Sequence, residues 1–358
     1  MNGVVGQNLT TLSILHVTEA MGGGTESAIR EFVRADTHDE HHLLFRARSG
    51  SSSNAGLGDF VSATAVKGGV GRLRSAIREK VAELEPDVIH LHSSWAGLVG
   101  RDRRQHAAAG IVYSPHCFYF ERQDVGRVRR RIAEVVEQRL ARLTDVLVAV
   151  SPHEVNLARS HGAGNAVFVP NLLRGWSPPP NRSACTGTPL IATVGRVAPQ
   201  KDPDFFLEVH RAATEAGLQA DWVWIGDGDE RSVAKLRRRG VTVTGWLPRE
   251  EARARLLCAS VYVHTAAWEA GPVSLEEARL AGVPVVARSI ASLVSLGYPA
   301  GLTTPDGVAR QVVSLLKGGE LPGEPEAARG EDLVVQVETL RAAYRTAAQL
   351  WSAREVLS

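Results

Sequence analysis

Short apolar runs rich in β-branched residues alternate with helix-length amphipathic stretches along most of this chain. Few folds accept that pattern. Regular strand–helix alternation builds parallel sheets with helices on both faces, where the strands are apolar along their full length. In the first half the runs are LSILHV (12–17), HHLLFRA (41–47), DVIHLH (87–92), GIVYS (110–114), DVLVAV (145–150) and AVFVP (166–170). Helices are expected between them at 25–35, 71–84, 95–109, 127–143 and 152–161. Shortly after Asn171 comes RGWSPPPNRSACTGTP, whose consecutive prolines and small polar residues mark a linker. A second series follows: LIATVG (190–195), DWVWIG (221–226), VTVTG (241–245), VYVHT (261–265) and PVVAR (284–288), with helices near 203–217, 229–239, 249–258 and 272–281. The tail from Glu331 carries helical apolar spacing through Val335, Leu340, Tyr344, Ala347 and Leu350. The expected architecture is two doubly wound α/β domains. Ligands of such sheets sit at the C-terminal strand ends, so two facing domains make a deep cleft between them.

A length of 358 residues suits two domains, and 44% hydrophobic residues is ordinary for a globular protein. A net charge of +2 argues against a nucleic-acid partner. Cys117, Cys185 and Cys258 form no CxxC pair and no disulfide framework, which makes a reducing cytoplasm the expected compartment. No apolar run approaches the ~18 residues that cross a bilayer, and the N-terminus lacks the charged and apolar regions of a signal peptide.

Three stretches point to an anionic ligand. In GRVAPQKDPDFF, Arg196 and Lys201 follow a strand, with Asp202 placed as a helix N-cap and Pro203 at the first helical position. A helix start attracts anions, Arg grips phosphate oxygens with a fork and Lys acts as a point charge, so the pair suits a diphosphate. In HTAAWEAGPVSLEEARLAG, Pro272 reads as the first residue of a helix, Glu269 precedes it and Glu277 lies in its second turn. Glu277 shares a face with Val273 and Ser274. Carboxylates beside an anion need donors, and sugar hydroxyls supply them. In TEAMGGGTESAIREF, Gly22 to Gly24 would let backbone approach a phosphate or a sugar. Read as G-x-G-x-x-G this run ends on Ser27, so it is not a dinucleotide fingerprint.

GRVAPQKD, the E-x7-E pattern from Glu269 to Glu277, PDVIHLHSSWAG, SPH at 114–116, DVLVAVS and VPN occur along the chain in the family's order and together resemble the retaining glycosyltransferases of family 4, also called glycosyl transferases group 1, which have the GT-B fold. The resemblance covers about residues 12–290. It implies an acceptor-side Rossmann-like domain over 1–175, joined by a tail helix at about 340–358, and a nucleotide-sugar domain over 186–339. It implies a nucleoside-diphosphate sugar donor, with no cofactor and no metal required. Arg196 and Lys201 match the diphosphate pair, Glu277 the ribose carboxylate, and Glu269 the carboxylate at the donor sugar, helped by the amides of Gly271, Pro272 and Val273 at the helix start. Pro272 itself has no N–H, so the donors there are its neighbours. His116 matches the histidine that reaches the transferred sugar, Gly23 and Gly24 the flexible glycine loop, and Trp246 and Leu247 the segment that meets the base. Catalytic roles fall to His116, Arg196, Lys201 and Glu269, and the acceptor side to His92, His116 and Phe118. The family often has Gly-Phe after the first glutamate, where this chain has Ala270 and Gly271. The acceptor is expected to be a saccharide, a lipid-linked saccharide or a small molecule. A nucleotide-sugar epimerase on the same architecture and a non-catalytic nucleotide-sugar-binding protein are the alternatives.

Other features have plainer readings. Asp227 and Asp229 in GDGD form a D-x-D pair but read as a turn. His90 and His92 share a strand face, and without an evident third ligand they read as cleft lining, not as a zinc site. Cys117 beside His116 is not expected to form a thiol dyad. The segment 127–143 carries an apolar face from Val128 to Leu143 among six arginines, which reads first as core packing and second as peripheral contact with the inner, anionic membrane face.

Overall fold

The computed structural model describes residues 10–47, 57–102, 109–171, 173, 176, 187–320 and 330–355. Most of the proposed linker, Cys185 and residues 356–358 lie outside them. Two parallel sheets carry the architecture. The first contains β1 (Ser13–Met21), β2 (Glu40–Ala47), β3 (Ser62–Ala65), β4 (Val88–His92), β5 (Gly110–Ser114), β6 (Val146–Ala149) and β7 (Ala166–Phe168), in the order β3-β2-β1-β4-β5-β6-β7. Its connections are α1 (Gly23–Ala35), α2 (Val70–Leu84), α3 (Ser94–Gly100), α4 (Arg127–Ala141) and α5 (Pro152–Ser160). The second sheet contains β8 (Leu190–Val194), β9 (Asp221–Ile225), β10 (Thr242–Val243), β11 (Val261–His264) and β12 (Val285–Ala287), in the order β10-β9-β8-β11-β12. Around it lie α6 (Pro203–Glu215), α7 (Glu230–Arg238), α8 (Arg249–Leu257), α9 (Val273–Leu280), α10 (Ala291–Ser295) and α11 (Pro305–Leu316), before the final α12 (Gly330–Glu355). Strand order reverses direction between β1 and β4 in one sheet and between β8 and β11 in the other. Those switch points open a crevice at the carboxyl ends of the strands.

Caps set the helix starts as the residues dictate. Ser151 Oγ accepts from Glu154 N ahead of Pro152, Asp202 accepts from Phe205 N ahead of Pro203, and Asp229 accepts from Ser232 N. Asp229 is therefore a helix cap, in agreement with the turn expected for GDGD. Each sheet is packed on both faces by buried aliphatic and aromatic residues, among them Ile89, Leu91 and Tyr113 in the first and Phe206, Trp224 and Val263 in the second. Burying one such side chain contributes about 1.5–3 kcal/mol.

Several expectations are corrected. β3 and α10–α11 had no counterpart in the sequence reading; β3 is an edge strand of Ser, Ala and Thr with no apolar run to announce it. The strand expected at 241–245 shortens to two residues, because Gly245 turns the chain at φ 77°. The helix expected from 95 to 109 ends at Gly100, and 103–108 lie outside the described residues. Pro272 is the cap residue, and α9 begins one position later at Val273. Cys258 is disulfide-bonded, against the expectation that no cysteine pairs.

α12 returns to the first sheet. Val337, Leu340, Ala343, Tyr344 and Ala347 join the core beside Ile14, Val112 and Val148. The approach is close: a Cβ on Gly110 of β5 would sit 2.4 Å from the Ala347 carbonyl. Three ion pairs fasten the helix, Arg341–Asp36 at 2.7 Å, Arg345–Asp39 at 2.9 Å and Arg354–Asp145 at 2.6 Å.

Candidate functional site

On the second domain, the site grows from the end of β8. Gly195 adopts φ 139°, and its carbonyl accepts the Trp224 indole N–H at 2.8 Å. The Lys201 stem lies across it, so a Cβ on Gly195 would come within 2.9 Å of the Lys201 Cε. Lys201 closes a 3-10 turn, Pro199–Lys201, and Asp202 follows at φ 49° with its carboxylate accepting from Arg288 Nη1 at 2.7 Å. This turn is stitched to the loop after β11: Thr265 Oγ1 donates to the Lys201 carbonyl at 2.7 Å, and Ala267 N donates to the Gln200 carbonyl at 2.9 Å. The stitching sets Lys201 Nζ 2.6 Å from Glu269 Oε1. Burial alone would lower the Lys201 ammonium; the Glu269 carboxylate outweighs it and holds the group above the usual lysine range. Arg196 is exposed and has no hydrogen-bond or ion-pair partner among the described residues. Partial burial and the like charge of Arg122, from the first domain, push its guanidinium down.

Helix α9 starts beside this loop; Leu275 N already donates to the Pro272 carbonyl at 3.1 Å, which leaves the Val273 and Ser274 amides as the unsatisfied donors of its first turn. Below it, Tyr262 Oη lies 2.9 Å from Ser274 Oγ and 3.1 Å from His264 Nδ1. Glu277 accepts through one oxygen only: Arg253 Nε donates to Oε1 at 3.0 Å and Arg249 Nη2 at 3.2 Å, while no described residue bonds Oε2. Arg249 and Arg253 were missed in the sequence. Their signal is the i, i+4 spacing in LPREEARARL, which puts both on one face of α8. Arg253 also stacks over Trp176 at 4.6 Å. Leu247 packs on the second core, and Trp246 stands 51% exposed beside it.

On the first domain, His116 and Cys117 follow β5 with left-handed φ of 48° and 85°. Glu154 pins this strained turn: its Oε1 accepts from Cys117 N at 2.8 Å and its Oε2 from Val150 N at 3.0 Å. Burial pushes the Glu154 carboxyl up to about 7, despite those two donors. The same burial pushes the Cys117 thiol well above its usual range, so it is no thiolate nucleophile. Gly22 caps α1 at φ 143°, Gly23 follows at φ 61°, and open space lies over Gly24.

Two acceptor-side expectations fail. Phe118 is buried in the first core, stacked on Phe120 at 4.9 Å, and faces no cleft. His90 and His92 are fully buried as well, so neither lines the cleft. His16 of β1 supplies the third histidine absent from the sequence reading, and the three rings could in principle surround a metal. Their donor atoms are already used. His16 bonds His92 and His41, His92 bonds His16 and His116, and His90 bonds Tyr344 and Ser114. The donor set does not fit a metal.

The domains meet where these loops face. Asn171 Nδ2 donates to the Gly271 carbonyl at 2.7 Å, and Gln123 Nε2 to the Ala267 carbonyl at 2.8 Å. Cys117 packs with Val150 and Ala270 in one cluster, which sets the His116 turn opposite the Glu269–Gly271 loop. A Cβ on Gly271 would lie 2.9 Å from the Val150 carbonyl. The Glu269–Gly271 loop, with Lys201 paired to Glu269, thus faces the His116 turn across the junction of the two domains. Such a cleft can hold a diphosphate joined to a polyhydroxylated group.

The fold and cleft define a GT-B glycosyltransferase. Family models described as a glycosyl transferase 4-like domain and as glycosyl transferases group 1 match residues 23–171 and 188–318. The chain belongs to the group 1 glycosyltransferases. Its structure is similar to sucrose-phosphate synthase from Thermosynechococcus elongatus, with a TM-score of 0.72 and 18% identity over 96% of this chain and 99% of that one. It is also similar to Anabaena HepE in complex with UDP-glucose, with a TM-score of 0.68 and 15% identity over 97% and 100%. In sequence it is 26% identical to an uncharacterized 41.2 kDa protein in the cps region of Klebsiella pneumoniae, over 79% of this chain and 82% of that protein. It is 25% identical to the Escherichia coli UDP-Gal:alpha-D-GlcNAc-diphosphoundecaprenol alpha-1,3-galactosyltransferase, over 57% and 58%.

Proposed function

We propose that this glycosyltransferase moves a sugar from a nucleoside diphosphate to an acceptor hydroxyl with retention at the anomeric carbon, in the assembly of a glycan, glycolipid or glycoside. The Lys201–Glu269 pair at 2.6 Å carries the reading. A buried ammonium held by a movable carboxylate, with Arg196 beside it, is ready to take a diphosphate. When the pyrophosphate binds, Lys201 and Arg196 neutralise it and Glu269 turns to the donor sugar. As the anomeric C–O bond breaks, the same cations and the α9 amides stabilise charge growing on the leaving phosphate. The departing phosphate oxygen takes the proton of the acceptor hydroxyl, so no carboxylate nucleophile is needed. Glu277 Oε2 receives ribose hydroxyls, Trp246 and Leu247 meet the base, and His116 faces the transferred sugar. The Gly23–Gly24 turn, with the open space over Gly24, gives phosphate and acceptor room.

Residues 1–175 with the tail from about 340 form the acceptor-side unit of this reading, and 186–339 the donor-side unit. The name of one relative supports an acceptor built on a lipid-linked saccharide, since it acts on a diphosphoundecaprenol-linked sugar. Peripheral membrane contact fits that acceptor. Val128 and Ile132 of α4 stand 74% and 59% exposed among arginines, and no described helix is long and apolar enough to cross a bilayer. The test is a thermal-shift screen against UDP, GDP, ADP and dTDP sugars, followed by product analysis with a saccharide acceptor. A ligand at a hundred times its Kd should stabilise by about 2.7 kcal/mol. Binding of none of them, by folded protein, would sink the donor assignment. Turnover to an altered free sugar without acceptor would make the protein an epimerase, and binding without turnover a nucleotide-sugar carrier.

A further inference from the structure

Four histidines cross the first sheet in a single hydrogen-bonded file, one from each of four adjacent strands or strand ends. His41 of β2, His16 of β1, His92 of β4 and His116 after β5 follow the strand order β2-β1-β4-β5. His41 Nδ1 lies 2.9 Å from His16 Nε2, His16 Nδ1 lies 2.9 Å from His92 Nε2, and His92 Nδ1 lies 3.1 Å from His116 Nε2. The far end is fixed, because His41 Nε2 lies 2.8 Å from the Asp36 backbone carbonyl, which can only accept. We propose that this file is a tautomer-setting device: it holds His116 with its proton on Nε2 and presents a bare Nδ1 to the cleft, making His116 an obligate acceptor for a substrate hydroxyl. This rests on the reading that His116 lines the sugar-transfer cleft.

The direction follows from proton counting. A neutral imidazole has one donor and one acceptor nitrogen. His41 Nε2 must donate to Asp36, so His41 Nδ1 accepts from His16 Nε2. By the same step His16 Nδ1 accepts from His92 Nε2, and His92 Nδ1 from His116 Nε2. Only Nδ1 of His116 remains, and it has no partner among the described residues. Protonating any ring nitrogen inside the file would set two N–H groups against each other. His116 Nδ1 is the one place where a proton can be gained without that conflict.

The surroundings keep the file neutral. His16 and His92 are fully buried, and the His90 ring lies tilted beside His92 at 3.9 Å between ring centroids. His90 follows the same logic by a separate route. Ser114 Oγ donates to the Val148 carbonyl at 2.8 Å, so His90 Nε2 donates to Ser114 and His90 Nδ1 accepts from Tyr344. The charged groups at the His41 end are Asp36, 3.7 Å away and itself paired with Arg341, and Asp39, paired with Arg345. His42 points elsewhere, toward Ser62 Oγ at 2.8 Å. His41, His16 and His92 are positioning residues in this scheme, because none of them reaches the cleft.

The experiment reads the tautomers directly, by NMR of isotope-labelled histidine nitrogens in the ligand-free wild-type protein near neutral pH. All four rings are expected with the proton on Nε2. A proton on Nδ1 of His116, or a charged His116 ring, would overturn the proposal while leaving the glycosyltransfer reading intact. His16→Phe is the second arm. It removes the acceptor of His92, so His92 and His116 should become mixtures of tautomers. In folded protein, kcat/KM should then fall about tenfold, the size of one hydrogen bond lost at the transition state, while the thermal shift given by the free nucleoside diphosphate is unchanged. A folded His16→Phe protein whose His116 stays wholly protonated on Nε2 would equally refute it. If His16→Phe does not fold, the wild-type spectrum alone decides.

Discussion

The two walls of the cleft hold their polar groups in opposite ways. The second domain meets each buried charge with a countercharge: Lys201 with Glu269, and Glu277 with Arg249 and Arg253. The histidine-lined wall of the first domain drives charge out, although elsewhere that domain buries ion pairs such as Arg101–Glu137. His16, His90 and His92 are pushed well below the usual histidine range by burial and then by neighbouring histidines, and His116 is lowered to about 4 by burial. Paired charges can exchange partners when a charged ligand arrives, so they make a site that adapts. A neutral file with fixed donors and acceptors cannot, so it makes a site that stays rigid and selects by hydrogen-bond direction.

The contrast can be broken most forcefully on the charged wall. Lys201→Ala should lower turnover by roughly a hundred- to a thousandfold, since one donor aimed at developing charge is typically worth about 2.7–4 kcal/mol of barrier. Steady-state kinetics with a working donor reads it, and near wild-type turnover would remove the diphosphate role. On the neutral wall the expected effect is on stability. His16, His41, His90, His92 and His116 all have lowered affinity for a proton when folded. The unfolded chain therefore binds more protons than the folded one below about pH 6.5, and stability falls as pH drops from there toward about 4. At about pH 5 the loss from His116 alone is roughly 2 kcal/mol. Glu154, raised to about 7, works the other way, its contribution growing as pH falls through 7. It offsets about one histidine. Thermal unfolding across this range should show a steep acid decline, and a flat profile would mean the file is not kept neutral by the fold. The smallest effect is at the edge of the charged wall. Arg249→Ala removes the more exposed of the two cations on Glu277 and should change nucleotide affinity by less than about fivefold, because Arg253 keeps Oε1 occupied. A loss as large as that of Lys201→Ala would place Arg249 on the phosphates themselves.

The same contrast explains what could be read from the sequence. Arg196, Lys201 and Glu269 sit in two short stretches that each lead into a helix start marked by a proline, and Glu277 lies in the second turn of the second helix, so spacing alone announces them. The histidine file is spread over residues 16, 41, 92 and 116, and only the order β2-β1-β4-β5 lines them up. In the sequence His41 and His92 stand beside other histidines and His116 in the short SPH, with nothing to link the four. His90 and His92 were read as cleft lining because no rule of alternation tells the buried face of a parallel strand from its open end. Phe118 was read toward the acceptor for a similar reason: the His116–Cys117 turn reverses the chain through left-handed backbone, and the aromatic that follows is thrown back into the core. Most of the alternating strands and helices were legible, α10 and α11 excepted. β3 was not, having no hydrophobic signature to carry it.

α12 has a consequence for how the protein is made. Tyr344, which bonds His90, and Ala347, which abuts Gly110, complete the first core from the last part of the chain. On the ribosome, at about 5–20 residues per second, the first sheet must wait roughly 10–40 s after its own strands have emerged before that cover arrives. During the delay its underside, Ile14, Val112 and Val148 included, lacks its partner. Until α12 emerges, that apolar underside is the kind of surface that promotes aggregation in a partly folded chain.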